Sequence, residues 1–359
     1  MARFIELNNY IKMNKFSIRY LCYYSKYIRD YEDKHNNKDT FSVLVHGALL
    51  HREGDLKTNN FGSYLAGLFE GDGHIWIPKE NMLKKHNPRF CISFHIKDLP
   101  LAEVILKKIG YGFIRIKSKN NAVVLTVSPV KGLKFILSEI KLYLRTPKIH
   151  QVNKLIIWLN RHHGTNYLLL TVNEKSLNND NWLAGFIDAD GCFYIYYQDK
   201  SIPTLEDGID LLNVFEGERV DKLKNKKAVI KLNMTIEQRR FDSISGDSYE
   251  PIMRKIAEFF EISLNTRKQI STGNSYFRVV VSSKISRSIL INYLNRCSLY
   301  SSKYLNYIDW KKASLLKIKT LKLTDEDKII ILSLKNNMNN KRIKFNWDHL
   351  YKAEMFIHL

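Results

Sequence analysis

Residues 65–73 read LAGLFEGDG and residues 183–191 read LAGFIDADG. Leu, Ala and Gly open both stretches, Asp-Gly closes both, and the four remaining positions differ conservatively. Each copy follows a helix-starting stretch, Asn59-Asn60 in one case and Asn178-Asn179-Asp180-Asn181 in the other. Each runs into a strand-like segment, His74-Ile75-Trp76-Ile77 and Cys192-Phe193-Tyr194-Ile195-Tyr196. Two such nonapeptides in the same local context mark an internal duplication, which decides how the rest of the chain is read.

The flanking sequence repeats in the same order. In the first half, residues 89–97 read as a strand, 101–109 as a helix ending at Gly110, 112–119 and 122–128 as a hairpin around Asn120-Asn121, and 130–142 as a helix. In the second, 227–236 is a strand, 251–260 a helix, 266–271 and 276–282 strands about Gly273-Asn274, and 285–294 a helix. Both halves close on small residues and a lysine, Thr146-Pro147-Lys148 and Ser301-Ser302-Lys303. The reading is an α+β chain of two tandem αββαββα units in a pseudo-twofold arrangement. Its expected segments are an extension over 1–58, a first repeat over 59–164, a linker over 165–181, a second repeat over 182–318 and a helical tail over 319–359. The second repeat is the longer, through a charged insertion over 198–225.

On a helix, Gly67 and Gly71 share one face, and Gly185 and Ala189 match them. Small residues at that spacing let two backbones approach closely, so the two repeated helices are expected to form the seam between the halves. Asp72 and Asp190 then stand at the C-terminal ends of those helices, before Gly73 and Gly191, which suit a cap. A carboxylate there meets the negative end of the helix dipole. Two such carboxylates brought together either raise a pKa or recruit a cation. Hard oxygen ligands with open positions suit Mg²⁺ (or Mn²⁺), the setting of phosphodiester hydrolysis. The preceding acids, Glu70 and Asp188, point elsewhere on the helix and are expected to cap or pair locally.

Charge narrows the partner. The chain of 359 residues carries 57 Lys and Arg against 36 acids, a formal charge of +21. A polyanion offsets such self-repulsion, and nucleic acid fits better than membrane, since no long apolar run or basic amphipathic helix is present. A basic protein from an AT-rich genome would share this composition. At 45% hydrophobic residues the chain can bury real cores. Cys22, Cys91, Cys192 and Cys297 are scattered without a CxxC pair and are expected to be buried thiols, and His162-His163 to lie in a loop. In GFIRIKSK (112–119), Arg115, Lys117 and Lys119 share one face and Ile114 and Ile116 the other. In the second half Arg267, Gln269 and Ser271 share a face, as do Tyr276, Arg278 and Val280. Sheets with basic polar faces are plausible major-groove readers, though a solvated face reads the same way.

These residues resemble the LAGLIDADG homing endonucleases, in the single-chain form with two motifs. The resemblance runs from about Asn59 to Trp347. It includes FGSYLAGLFEGDG, FHIKDLP, RTPKIH, SSKYL and MNNKRIKFNWDHL, which look like intron-encoded members in fungal mitochondrial cytochrome genes. The resemblance implies that Asp72 and Asp190 bind catalytic divalent metal and that two antiparallel sheets form a saddle over double-stranded DNA. It implies that each site cuts one strand across the minor groove, leaving short 3′ overhangs. By position Lys148 and Lys303 would stand near the cut phosphates, with Asp98 and Gln238 ordering the attacking water. It implies a monomer encoded in the mitochondrion, whose affinity comes largely from phosphate contacts and whose central base pairs are read partly through bendability. The rival reading is an RNA maturase that helps its host intron fold, with or without DNA cleavage. A DNA-binding regulator would tolerate loss of an acid, and neither acid is lost. Residues 1–58 lie outside the repeat, and the closing KAEMFIHL has no reading from sequence alone.

Overall fold

The computed structural model describes residues 60–79, 86–198, 229–319 and 323–357. The N-terminal extension, Cys22 and nearly all of the 198–225 insertion lie outside the described residues. The first half runs α1 (Asn60–Asp72), β1 (Gly73–Trp76), β2 (Arg89–His95), α2 (Leu99–Ile109), β3 (Phe113–Lys117), β4 (Ala122–Val127), α3 (Val130–Ile140) and α4 (Ile149–His163). The second repeats it as α5 (Trp182–Asp190), β5 (Gly191–Gln198), β6 (Val229–Arg239), α6 (Glu250–Phe259), β7 (Asn265–Lys268), β8 (Ser275–Val281), α7 (Lys284–Arg296) and α8 (Lys303–Lys319). The tail adds α9 (Asp325–Asn336) and the single turns α10 (Asp348–Tyr351) and α11 (Glu354–Ile357).

Each half holds one antiparallel four-stranded sheet of the same order, β1-β2-β4-β3 and β5-β6-β8-β7. Alternation sets the faces. Phe90, Ile92, Val123, Leu125 and Val127 point inward beneath the stripe Leu101, Ala102, Ile105 and Ile109 of α2. The second sheet repeats the pattern, with Leu232, Met234, Ile236, Phe277, Val279 and Val281 buried beside Ile252, Met253 and Ile256 of α6.

α1 and α5 are buried along most of their length, as expected of helices at the centre of a molecule rather than on its rim. Their contacts obey the pseudo-twofold. A Cβ on Gly67 would stand 1.9 Å from the Trp182 carbonyl oxygen, and one on Gly185 2.1 Å from that of Tyr64. At the matched position further along, a Cβ on Gly71 would stand 2.1 Å from that of Ala189. The four small residues expected at the seam are therefore where the backbones touch. Gly73 and Gly191 do not act as left-handed caps: Gly191 is extended, at φ −76°, and both glycines begin strands. What requires them is crowding, since a Cβ would come within 2.7 Å of the Phe69 or Ile187 carbonyl oxygen.

The linker is pinned down along α4. Asn153 hydrogen-bonds both the N–H and the C=O of Leu170, and Asn173 N–H donates to Leu144 O at 2.7 Å. The Arg145 guanidinium donates to Asp180 Oδ2 at 2.6 Å and to Lys175 O at 2.6 Å, so a buried ion pair fixes the approach to α5. His162 and His163 are not in a loop: they form the last turn of α4, beside the Trp158 ring. Cys91 and Cys297 are buried, but Cys192 is exposed because alternation along β5 turns it to the open face. The tail lies against the second sheet and then crosses to the seam. Asn339 donates to Phe193 O at 3.0 Å, and the Phe356 ring lies edge-on to Phe61 of α1 at 6.0 Å and to Tyr300 at 5.2 Å.

Candidate active site and nucleic-acid interface

The seam brings four charged groups into one field: Asp72 and Asp190 at the helix ends, and Lys148 and Lys303 from the turns that open α4 and α8. Burial pushes the Asp190 carboxyl up to about 7, reinforced by the Asp72 charge and opposed by Lys303, Lys148 and the Gln238 amide. Asp72 keeps an open side to solvent, yet crowding on its other sides raises its pKa against the pull of Lys303 and Lys148. Burial lowers the Lys148 ammonium, opposed by Asp190 and Asp72.

The two lysines occupy equivalent places. Lys148 Nζ donates to the carbonyls of Gly71 at 2.5 Å and Gly73 at 2.9 Å, and Lys303 Nζ to that of Ala189 at 2.5 Å. Each cation thus satisfies the orphan carbonyls at the end of its own half's motif helix and offsets the dipole there. Glu70 and Asp188 do not pair locally on their helices. Each reaches the turn that carries its half's lysine, Glu70 to Arg145-Thr146 and Asp188 to Tyr300-Ser301.

Asp98 and Gln238 are both beside the helix ends, but they are not equivalent. Strand pairing sets Gly73 opposite Ile92 and Gly191 opposite Ile236, so Gln238 matches Phe94, and Asp98 matches Asp242. Gln238 faces inward with Ile236, and its amide donates to Asp190 Oδ2. Asp98 follows the strand, where its Oδ1 accepts the Ser302 N–H at 2.6 Å. With Asp72, Phe94, Ser302 and Lys303 it lines a cavity of about 160 Å³. Ser302 has its counterpart in Pro147, which has no N–H to offer, and Asp242 accordingly turns back on its own loop, accepting from Ile244 and Ser245 N–H. Sequence alone does not reveal this, because the equivalence is set by register, which a local motif does not carry.

The open faces of the sheets are basic and aromatic. Arg115 and Lys117 are exposed on β3, and Lys119 in the turn after it. Ile116 is also exposed, because β3 is the edge strand and helix cover ends at Ile114. Gln269 is not in a strand: β7 ends at Lys268, and Gln269 opens the turn, accepting from Tyr276 Oη at 3.2 Å. Arg278 and Arg267 flank Glu237, at 3.0 and 3.5 Å. Register adds residues that the motifs do not mark. Arg89 lies over the Trp76 ring at 5.0 Å in the first sheet and Lys231 over Tyr196 at 5.7 Å in the second, where Tyr194, two residues before Tyr196 on β5, is exposed. Alternation through β2, β5 and β6 is their only signal in the sequence.

The sequence profile of the LAGLIDADG endonucleases matches residues 65–159 and 183–314. The chain belongs to the LAGLIDADG endonuclease family. The two matched segments of this LAGLIDADG chain are the two halves just described. It is 27% identical over 349 residues to the intron-encoded DNA endonuclease aI3 of Saccharomyces cerevisiae, covering 89% of this chain and 78% of that one. It is 29% identical over 143 residues to the intron-encoded RNA maturase bI4 of the same yeast, covering 39% of this chain and 20% of that one. Among solved structures, the LAGLIDADG homing endonuclease I-LtrWI bound to target DNA shares the fold, at a TM-score of 0.55 and 19% identity over 79% of this chain and 99% of that one.

Proposed function

We propose that this chain is a site-specific DNA endonuclease, dependent on Mg²⁺ or Mn²⁺, that cuts both strands of a long duplex target and promotes homing of its host intron. The observation that carries the reading is the pair Asp72 and Asp190, set at the touching ends of two helices and coupled in charge to each other and to Lys148 and Lys303. The donor set fits a hard divalent cation. Among the described residues no group of three His, Cys, Asp or Glu side chains is placed to hold a metal ion by itself, and a pair of carboxylates that leaves the remaining positions to water and phosphate is what Mg²⁺ prefers. The raised Asp190 pKa fits as well, because a cation is the partner that two crowded carboxylates lack.

A bound cation would supply charge neutralisation and Lewis acidity at the scissile phosphate. Asp72 and Asp190 would hold it, and Gln238 orients Asp190 through one carboxylate oxygen. Lys148 and Lys303, resting on helix-end carbonyls, would exchange these for a phosphate oxygen, since a hydrogen bond between charged partners is stronger. There they offset charge developing in the transition state. Asp98 and Gln238 order the attacking water in their respective halves, through different geometries. Arg115, Lys117, Lys119, Arg267, Gln269 and Arg278 contact the duplex. We assign the product short 3′ overhangs, the protein a monomeric state, and its location to the mitochondrion.

The test is a plasmid carrying the ligated exons that flank the chain's own intron, incubated with the full-length protein and Mg²⁺. The parent protein should cut both strands. Asp72→Asn and Asp190→Asn should nick at most, and EDTA should abolish both activities. A second reading, an RNA maturase, is favoured by the similarity to bI4. Metal-independent binding to the host intron RNA without any DNA cleavage would replace the first reading with the second.

A further inference from the structure

The two acids that precede the metal-binding pair are buried and have no role in the chemistry above, although Asp188 borders the cavity that Asp72, Asp98 and Lys303 line. Glu70 accepts five hydrogen bonds. Four come from its own half: Arg145 N–H to both oxygens at 3.0 and 2.9 Å, and Thr146 N–H and Oγ1–H at 2.7 Å each. Thr146 Oγ1 then accepts the Lys148 N–H at 3.2 Å. The fifth crosses the seam, from the indole N–H of Trp182 at 2.6 Å.

Asp188 repeats the arrangement. It accepts Tyr300 N–H at 2.7 Å, Ser301 N–H at 3.2 Å and Ser301 Oγ–H at 2.5 Å, and Ser301 Oγ accepts the Lys303 N–H at 3.1 Å. Its bond from across the seam comes from Tyr64 Oη–H at 2.7 Å. Tyr64 and Trp182 open the equivalent stretches YLAG and WLAG of the two helices. All four side chains are buried, so a carboxylate that loses one of these donors must reorganise its remaining bonds.

We infer that Glu70 and Asp188 are positioning residues for Lys148 and Lys303, and that each is aligned by an aromatic donor of the opposite half. Each lysine turn is thereby locked only when the two halves are docked. Trp182 acts on Lys148, and Tyr64 acts on Lys303. The wiring is crossed, so a change in one motif helix is felt at the lysine of the other half. An isolated repeat would present its lysine on a loosened turn. This deepens the endonuclease reading by saying what holds its two cationic groups in register with the seam.

The experiment reads the lysines directly in the full-length, metal-free protein. Competitive amine labelling with acetic anhydride, followed by peptide mass spectrometry, gives the reactivity of Lys148 and Lys303 in the same molecule. Trp182→Phe keeps a ring and removes the N–H; Tyr64→Phe keeps the ring and removes the hydroxyl. Trp182→Phe should raise Lys148 labelling about fivefold while Lys303 changes less than about twofold, and Tyr64→Phe should do the reverse. Glu70→Gln and Asp188→Asn should each free the lysine of its own half. Because the two lysines are compared within one molecule, global loosening raises both together, and that result would overturn the inference. So would no change in either, or an effect confined to the mutated half. If one aromatic variant does not fold, the other still distinguishes crossed from uncrossed wiring. The labelling needs no DNA, so a protein that shows the crossed pattern yet cuts no target refutes the cleavage reading and leaves the positioning intact.

Discussion

Replacing Asp190 with Asn should make the metal-free protein more stable, and more so at alkaline pH. The Asp190 carboxyl has an ordinary pKa of 3.8 and is pushed up to about 7 in the fold, first by burial and then by Asp72. A folded-state pKa raised in this way contributes stability that is present below pH 3.8 and lost as pH rises through about 7. Relative to its value below pH 3.8, the stability contributed falls by about 1.7 kcal/mol at pH 5, where the folded group is still protonated, and by about 4 kcal/mol at pH 8, from the two pKa values of 3.8 and about 7 at 1.36 kcal/mol per unit. Asn keeps the shape and removes the charge. Asp190 retains some solvent contact, which screens part of the cost, so the pH-dependent gain should be about 1–3 kcal/mol. That corresponds to roughly 2–6 °C in the unfolding midpoint for a domain of this size. The assay is thermal unfolding of parent and Asp190→Asn in EDTA at pH 5 and pH 8, where all other titrating groups are common to both proteins. A variant less stable than the parent at pH 8, or an advantage equal at the two pH values, would refute the account of two crowded carboxylates awaiting a cation.

Gly67→Ala or Gly185→Ala should destabilise the protein by about 3 kcal/mol or more, because the added methyl would overlap a backbone carbonyl oxygen of the facing helix, which cannot swing aside. Chemical denaturation checks this, and a change under about 1 kcal/mol would place the seam elsewhere. Phe356→Ala should cost about 2–4 kcal/mol, since its ring closes the gap between Phe61 and Tyr300, with a matching fall in unfolding temperature. If the open sheet faces hold the duplex, Lys117→Ala or Arg115→Ala should lower the slope of log affinity against log salt by about one each, measured by titration on target DNA. Equal salt slopes in parent and variants would remove β3 from the interface.

The repeated nonapeptide determined a good deal by itself. It fixed the duplication, the two small-residue faces at 67/71 and 185/189, and the placing of Asp72 and Asp190 at helix ends, because all three are local in sequence and follow from helical spacing. Alternation likewise fixed which residues of β8 point inward. What the sequence left open depended on pairing between distant segments. Gln238 matches Phe94 in position, and Asp98 matches Asp242, because strand register decides equivalence, and register is set by how β1 and β5 lie against β2 and β6. Cys192 is exposed and His162 and His163 are helical for similar reasons: the outward face of β5 and the full length of α4 emerge only when their neighbours are in place. The bonds from Trp182 to Glu70 and from Tyr64 to Asp188 join residues more than a hundred positions apart, and no periodicity encodes them. Local chemistry named the parts of the site. The packing of α1 on α5 decided which of them touch, since only burial at that seam makes an unpaired carboxylate costly enough to recruit a donor from the other half.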